Sequence, residues 1–494
     1  MVVELGVARV LTPVFGGSIS VWAIVIATTM LALAAGYAFG GYRADRIGGL
    51  VVASRAAVIG ALLCAAIPLF RMPLIEATIG LSTLYGATVV AIVLIAPALF
   101  FLSQVSPALI RGLADDRATH VGVTAGGIYA ISTIGSLFGT LAAVWLFLYL
   151  PLLTGFVATA VLVVLPVMLL RPVAASVGAA LAGTVALLAL SFDYAAGMSA
   201  RYPGEADGFR LIDTRHSPYG ELRVIEQDER VRYMVVNGFD QGGIFVETGV
   251  SAYDFDDGLI GVGRMYAATS DRVLLIGLGP GVIATALADS GLQVDAVEID
   301  AEVYRTARDY FGYRGEAIVD DGRRFLQRTT GTWDVIIVDA FAGGSPPWQL
   351  YTQEAFVLYQ EHLNPGGVVV LNFIGSHLDP EQRPALEAVV STARSEFATV
   401  DVYPNPWVPD EYPTRNIFIA ASEAPPARAR SGDADDLFEM GTLSAALARI
   451  APVQVGEGRV LTDDSAPLEP LVRRTTEILR NRIREYIPVG LLIR

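Results

Sequence analysis

The sequence predicts a multi-pass α-helical membrane domain followed by an α/β Rossmann-like domain of the methyltransferase type, with a small β element at its N-terminal side. Three observations predict it. Nearly every residue from about Val14 to Phe192 is apolar, whereas charges crowd in after Arg201. From Arg272 onward, strand-like and helix-like runs alternate. The first of those strands runs into a glycine-rich turn that opens a helix, the arrangement in which backbone amides face a ligand.

The first domain is expected over 1–193. A helix needs roughly 20 apolar residues to cross the hydrocarbon core, and six stretches qualify: about 18–42, 48–70, 76–102, 121–148, 152–170 and 173–193. Turn formers or charges separate them, at 43–46, Arg71-Met72-Pro73, Ser106-Pro107 through Arg117, Pro151 and Arg171-Pro172. Gly36 with Gly40, and Gly135 with Gly139, have the spacing that lets helix backbones approach closely, so packing is their expected role. The opening stretch, with Glu4 and Arg9 ahead of Pro13, reads as the tail of a helix or a short interfacial helix. Six crossings put Arg43, Arg46, Arg111, Arg117 and Arg171 on one side, the cytoplasmic one by the positive-inside tendency. The domain after Arg201 then falls on the opposite side, although an S-adenosyl cofactor is expected in the cytoplasm. Either one span is miscounted, with 173–193 re-entrant, or the domain works outside.

A linker is expected over 194–218 and a small β region over 219–262. There, Leu222–Glu226, Val231–Val236 and Gly243–Val246 read as strands and Asn237-Gly238 as a turn. The Rossmann-like domain is expected over 263–425 and a C-terminal helical extension over 426–494.

Composition narrows the partners. The chain has 494 residues, 53% hydrophobic and 17% charged, with a net charge of −15 concentrated in the second half. An acidic surface repels phosphate backbones, so no nucleic acid partner is expected. With one cysteine, Cys64, and four scattered histidines, neither a disulfide framework nor a bound metal is expected.

The nucleotide site follows from the strand ends. Val273–Ile276 reads as a buried strand leading into Gly277, Gly279 and Gly281. Val294–Val297 is the next strand and ends in Glu298 and Asp300. Glu298 is expected on the ribose hydroxyls; Asp300 fits the ribose and a helix cap equally. The third strand ends in Asp320-Asp321-Gly322, where Asp321 can accept from an adenine amino group and Gly322 leaves room for the ring. The fourth, Val335–Val338, ends in Asp339. In an open α/β sheet the ligand lies outside such carboxyl ends. No dinucleotide pattern follows.

These residues resemble the spermidine synthase family, and more closely its membrane-fused bacterial branch. The matching stretches are VLLIGLGPG, VEID, VDDGRRFL, WDVIIVDAF, QLYTQEAF and LNPGGVVVLN, with ELGVARVLTPVFGGS, GYAFGGYRADRIGG and LTDDSAP matching the branch's opening helices and C-terminal signature. The resemblance implies aminopropyl transfer from decarboxylated S-adenosylmethionine to a diamine, with no prosthetic group. It implies Asp339 as base or amine anchor, the first acid of a D-x-x-D segment whose second acid is replaced by Ala342. Pro280 stands where the family often has an acid, and Tyr253-Asp254 where it has Tyr-His. Gln241 matches a glutamine of the nucleoside side. Asp254, Asp256, Asp257, Asp463 and Asp464 are candidate substitutes for the missing acid, although a solvated loop role is the expectation for Asp256 and Asp257. The basic stretch Arg473–Arg484 fits a helix resting on an anionic membrane surface or an exposed helix face. The expected partners are a small amine, the bilayer and a second copy in a homodimer. Two other readings remain: an S-adenosylmethionine methyltransferase acting on a small or lipid-like acceptor, and a non-catalytic nucleoside-sensing or transport-coupled membrane protein.

Overall fold

The computed structural model describes residues 2–15, 19–78, 80–114, 121–149, 156, 158–163, 183, 205–206, 208–267, 271–342, 344–426, 450–488 and 491. The chain divides into two compact units, Met1–Pro203 and Gly204–Leu492, described separately here.

The first unit is helical: α1 (Val2–Phe15), α2 (Ile19–Ile47), α3 (Gly49–Thr78), α4 (Thr83–Leu94), α5 (Ala96–Ser103), α6 (Val105–Ala114) and α7 (Val121–Tyr149). Among the described residues, four stretches are long and apolar enough to cross a membrane: Ser20–Ile47, Gly49–Thr78, Leu84–Ala114 and Gly122–Ala143. The expected spans 152–170 and 173–193 lie almost wholly outside the described residues. Three expected breaks are helix instead, the first because α2 continues through 43–46 to Ile47. Helix α3 continues through Arg71 and contains both Pro68 and Pro73; apolar helices tolerate proline where neighbouring helices re-satisfy the freed backbone groups. Ser106 and Pro107 lie inside α6. The third span is therefore α4, α5 and α6 in series, jointed at Ile95 and Gln104, each joint followed within three residues by a proline that lacks an N–H.

Small residues set the packing of α2 to α6. A Cβ on Gly36 would stand 1.9 Å from Ser103 Oγ, and one on Gly40 2.6 Å from the Gln104 Cα. By contrast, Gly135 and Gly139 on α7 have nothing within 4 Å, so the packing expected of that pair is not found among the described residues. In helix α1, Val7, Leu11 and Val14 are fully buried. Arg111 Nε pairs with Asp45 Oδ1 at 2.9 Å, which brings the 43–46 corner and the end of α6 to one end of the bundle.

The second unit holds two sheets. The smaller is antiparallel, in the order β1 (Glu205–Ala206), β2 (Phe209–Ser217), β3 (Gly220–Gln227), β4 (Val231–Val236), β5 (Phe239–Phe245). Asn237 and Gly238 have φ of 52° and 78° and join β4 to β5 as the left-handed two-residue turn the sequence signalled. Part of the expected linker is thus strand β2. A bulge between Leu211 and Asp213 breaks its alternation, which hides it from a period-two reading.

Next come α8 (Phe255–Tyr266), β6 (Arg272–Ile276), α9 (Val282–Asp289), β7 (Gln293–Glu298), α10 (Ala301–Tyr310), β8 (Ala317–Val319), α11 (Gly322–Arg328), β9 (Trp333–Val338), α12 (Gln353–Glu361), β10 (Leu363–Gly375), α13 (Arg383–Glu396), β11 (Thr399–Pro404), β12 (Arg415–Ser422) and α14 (Leu468–Tyr486). The seven-stranded sheet runs β11-β12-β10-β9-β6-β7-β8. Strands β8, β7, β6, β9 and β10 are parallel; β12 and β11 add an antiparallel edge. Alternate residues feed two cores. Leu274, Ile276, Val338 and Leu371 pack with α12 and α13, while Val273, Leu275, Val335 and Val370 pack with α8, α9 and the smaller sheet. A strand buried on both faces must be apolar throughout, hence the unbroken runs of Val, Leu and Ile. Helix α8 packs on β10 and β12, so it belongs with the large sheet and not with the small β region assigned to 219–262.

Candidate active site

The chain leaves β6 for one face of the sheet and enters β10 by the other, so β6 and β9 flank a topological switch point, where a crevice opens at the carboxyl ends of the strands. The ends there are still laddered: the Gly277 amide donates to Val297 O and the Asp339 amide to Ile276 O, both at 2.9 Å. Gly277 has φ +95°, and a Cβ on it would stand 2.0 Å from Asp339 O. The glycine-rich turn and the Asp339 backbone therefore touch, and only glycine permits it. Gly279 has φ +53°, and Gly281, with φ +82°, begins α9.

Glu298 ends β7 and is buried. Its Oε2 accepts from the Leu278 amide and its Oε1 from the Asp300 amide, each at 2.9 Å. Burial raises this carboxyl above its ordinary value, against the lowering effect of those amides. The Gly279 amide also bonds this carboxylate, which leaves it acceptor capacity for a ribose hydroxyl. Asp300 is a helix cap: Oδ1 accepts from the Glu302 amide at 2.9 Å and Oδ2 from Ser217 Oγ at 2.5 Å. Asp321 caps α11 through the Arg324 amide at 2.9 Å, and Asp320 pairs with the Arg324 side chain. Gly322 rests on β6, where a Cβ would stand 2.4 Å from Ile276 Cγ2.

Asp339 Oδ1 accepts from Asn372 Nδ2 at 2.8 Å, and Asn372 Oδ1 accepts from Asn416 Nδ2 at 3.0 Å. Two neutral amides from β10 and β12 thus aim the carboxylate. Burial pushes the Asp339 carboxyl up to about 6, against the Asn372 donor.

Strand β5 borders the glycine-rich turn. A Cβ on Gly279 would stand 3.2 Å from Gln241 O, and one on Gly242 3.0 Å from Pro280 Cγ. Tyr253 donates its hydroxyl to Asp240 Oδ2. Asp254 precedes α8 and accepts from Asn405 Nδ2 at 3.3 Å. Asp256 departs from its expected solvated role. It is 8% exposed and accepts from Ser251 Oγ at 2.5 Å. Burial, together with the charges of Asp339, Asp257 and Asp254, pushes its carboxyl up to about 8. Asp463 binds Arg323 through both oxygens at 2.6 Å and takes the Thr352 hydroxyl at 2.8 Å, so it pins the C-terminal segment. Arg473–Arg484 does not present a helix to solvent or a membrane all round: Val472, Thr475, Arg480 and Ile483 of α14 are buried.

Sequence reasoning did not find Asp240, Asn372, Asn416 or Tyr486. Asn372 carried a signal, a polar side chain closing the apolar run VVVLN of β10. Among the described residues, no group of three or more His, Cys, Asp or Glu could hold a metal ion.

The strand order and the glycine-rich turn define a Rossmann-like domain of the methyltransferase type. Within that class, residues 256–420 match the model of the spermine/spermidine synthase domain. Among curated proteins, a probable polyamine aminopropyl transferase of Bifidobacterium longum is 30% identical over 225 residues, 42% of this chain and 50% of that protein. An N-terminal histidine N-methyltransferase of Emericella nidulans is 28% identical over 195 residues, 34% of this chain and 35% of that protein. Spermidine synthase 2 of Arabidopsis thaliana is 28% identical over 246 residues, 46% of this chain and 69% of that protein. The chain thus spans about half the length of the first and about a third of the second.

Proposed function

We propose that this chain is a membrane-associated aminopropyltransferase that moves an aminopropyl group from decarboxylated S-adenosylmethionine to a small diamine and releases methylthioadenosine. The observation that carries the reading is Asp339, held by an amide pair directly against the glycine-rich turn of a spermine/spermidine synthase domain. In the reaction the amine lone pair attacks the carbon next to the sulfonium. The carbon–sulfur bond breaks, its electrons neutralise sulfur, and the ammonium proton passes to Asp339. A base titrating near 6 is largely ionised at neutral pH and still accepts a proton. Holding both reactants in line replaces a bimolecular encounter.

In this reading Gly277, Gly279 and Gly281 cradle the nucleoside, Glu298 takes the ribose, Asp321 and Gly322 receive the adenine, and Gln241 closes that side. Tyr253, Asp254 and Asp339 bind the amine. The four apolar helices anchor the protein in a bilayer, with the α/β unit in the cytoplasm, where S-adenosyl nucleosides are expected.

Ala342 favours a second reading, methyl transfer, because one diamine-holding acid is missing. Mass spectrometry of detergent-purified protein with either cofactor and a panel of amines separates the two. Methylthioadenosine with an aminopropylated amine supports the first reading. S-adenosylhomocysteine supports the second, and neither product with any acceptor sinks both.

A further inference from the structure

Helix α14 lies outside the residues that match the family model, yet its last turn reaches the acceptor side of the crevice. Tyr486 donates its hydroxyl to Asp240 Oδ2 at 2.9 Å, the oxygen that also accepts from Tyr253. Asp240 Oδ1 accepts from the Gly242 amide at 2.9 Å. Asp240 therefore gathers three donors: one from β5, one from the loop before α8 and one from α14. Around this point α14 is fitted to its neighbours. The Tyr486 ring lies 6.2 Å from that of Tyr233 on β4, and the Arg480 guanidinium sits 5.3 Å over the Phe239 ring. Phe239 in turn bears on the loop after β9, where a Cβ on Gly344 would stand 2.3 Å from its ring. The helix is anchored separately, through Thr475 Oγ1 to Gln382 Oε1 at 2.9 Å, so its docking does not depend on the Tyr486 hydroxyl.

We propose that Tyr486 is a positioning residue of the acceptor site: through Asp240 it holds the Tyr253 phenol and the Gln241 backbone beside the glycine-rich turn. Helix α14 thereby completes a wall that residues 256–420 do not supply. This rests on the reading of Tyr253 as an amine-binding residue. Hydrogen bonds to a carboxylate are short and strong, so a shared carboxylate ties two phenols from distant segments to one point. The segment carrying Tyr253 is also tied through the Ala252 amide to Gly243 O at 2.9 Å, the Ser251 hydroxyl to Asp256 and the Asn405 amide to Asp254, none of which holds the Tyr253 phenol itself.

The test uses the full chain in detergent and the variant Tyr486→Phe, which keeps the ring on Tyr233 and removes only the hydroxyl. Hydrogen exchange of the unliganded protein needs no turnover. Exchange is expected to quicken roughly 5- to 10-fold at the Gly242 amide and over 249–254, and to stay unchanged in α13. In kinetics, the acceptor KM is expected to rise by a similar factor, with kcat and the methylthioadenosine Kd within about twofold. Asp240→Asn, which weakens both phenol bonds, is expected to give the same exchange pattern and serves if Tyr486→Phe does not fold. Unaltered exchange over 240–254 overturns the proposal, and so does faster exchange spread evenly over the whole unit. Local loosening in a protein that transfers no group even as wild type leaves the positioning role standing and removes the functional reading instead.

Discussion

The two ends of the crevice are built by different means. The end proposed for the nucleoside is mostly main chain: three glycines at positive φ, the amides of Leu278 and Asp300, and the carboxylate of Glu298 that ties them together. The end proposed for the acceptor is side chain. Asp339, Asn372 and Asn416 form one hydrogen-bonded triad and Asp240, Tyr253 and Tyr486 another, their members drawn from six places in the chain. A backbone cradle fixes one ligand shape and leaves little to vary, because its donors are the peptide units themselves. A side-chain wall can be rewritten one residue at a time. That is where Ala342 and Asp254 depart from the family pattern, whereas Pro280 departs within the glycine-rich turn itself.

The comparison can be broken most sharply at Asp339. Asp339→Asn keeps the amide pair's geometry but removes the base, so kcat is expected to fall roughly 10²- to 10⁴-fold, with methylthioadenosine affinity nearly unchanged. Initial rates and calorimetry read the two ends separately, and unchanged turnover removes Asp339 from the mechanism. In the wild type, the rate is expected to rise as pH climbs through about 6, where the carboxyl ionises.

Gly277→Ala attacks both ends at once, because its Cβ would strike the Asp339 carbonyl at a positive φ. A loss of about 1–3 kcal/mol in thermal or urea stability is expected, together with weaker nucleoside binding. Wild-type stability would show that the turn and β9 can separate freely.

Glu298→Ala touches the nucleoside end alone. It strips the acceptor from the amides of Leu278, Gly279 and Asp300, and methylthioadenosine is expected to bind about tenfold more weakly. An unaltered affinity sinks the ribose assignment.

The smallest effect belongs to Asp256. Its carboxyl titrates higher folded than unfolded, so its contribution to stability is whole below about the ordinary value of 3.8 and is lost as pH rises through about 8. Asp256→Asn is therefore expected to raise the melting temperature at pH 8.5 by a few degrees and to leave it unchanged near pH 4. A gain of equal size at both pH values would mean that burial of this charge is not the cause.

The same contrast explains what could be read from the chain. Gly277, Gly279, Gly281, Glu298 and Asp339 were legible because each sits at a strand end, where local pattern and strand order coincide. The antiparallel pair β11 and β12 and the alliance of Tyr486 with Asp240 were not legible. Their partners lie up to 246 positions apart, and no local pattern encodes such a meeting. Asp256 was misread for a related reason. An acid in a helix's first turn is ordinarily a solvated complement to the dipole, and only the packing of α8 on β10 and β12 buries this one. In the helical unit, Pro73 and Pro107 read as breaks because proline ends helices in water, a rule that weakens where neighbouring helices take over the freed carbonyls.

The chain of amides from Asn416 through Asn372 to Asp339 has a directional consequence. Asn372 must keep its carbonyl toward Asn416, so its amino group always faces Asp339 Oδ1. One lone pair of Oδ1 is thereby occupied from behind, and the carboxylate is held in one plane. In the proposed reaction, the directions from which a nucleophile can give up its proton to Asp339 are narrowed before any substrate enters.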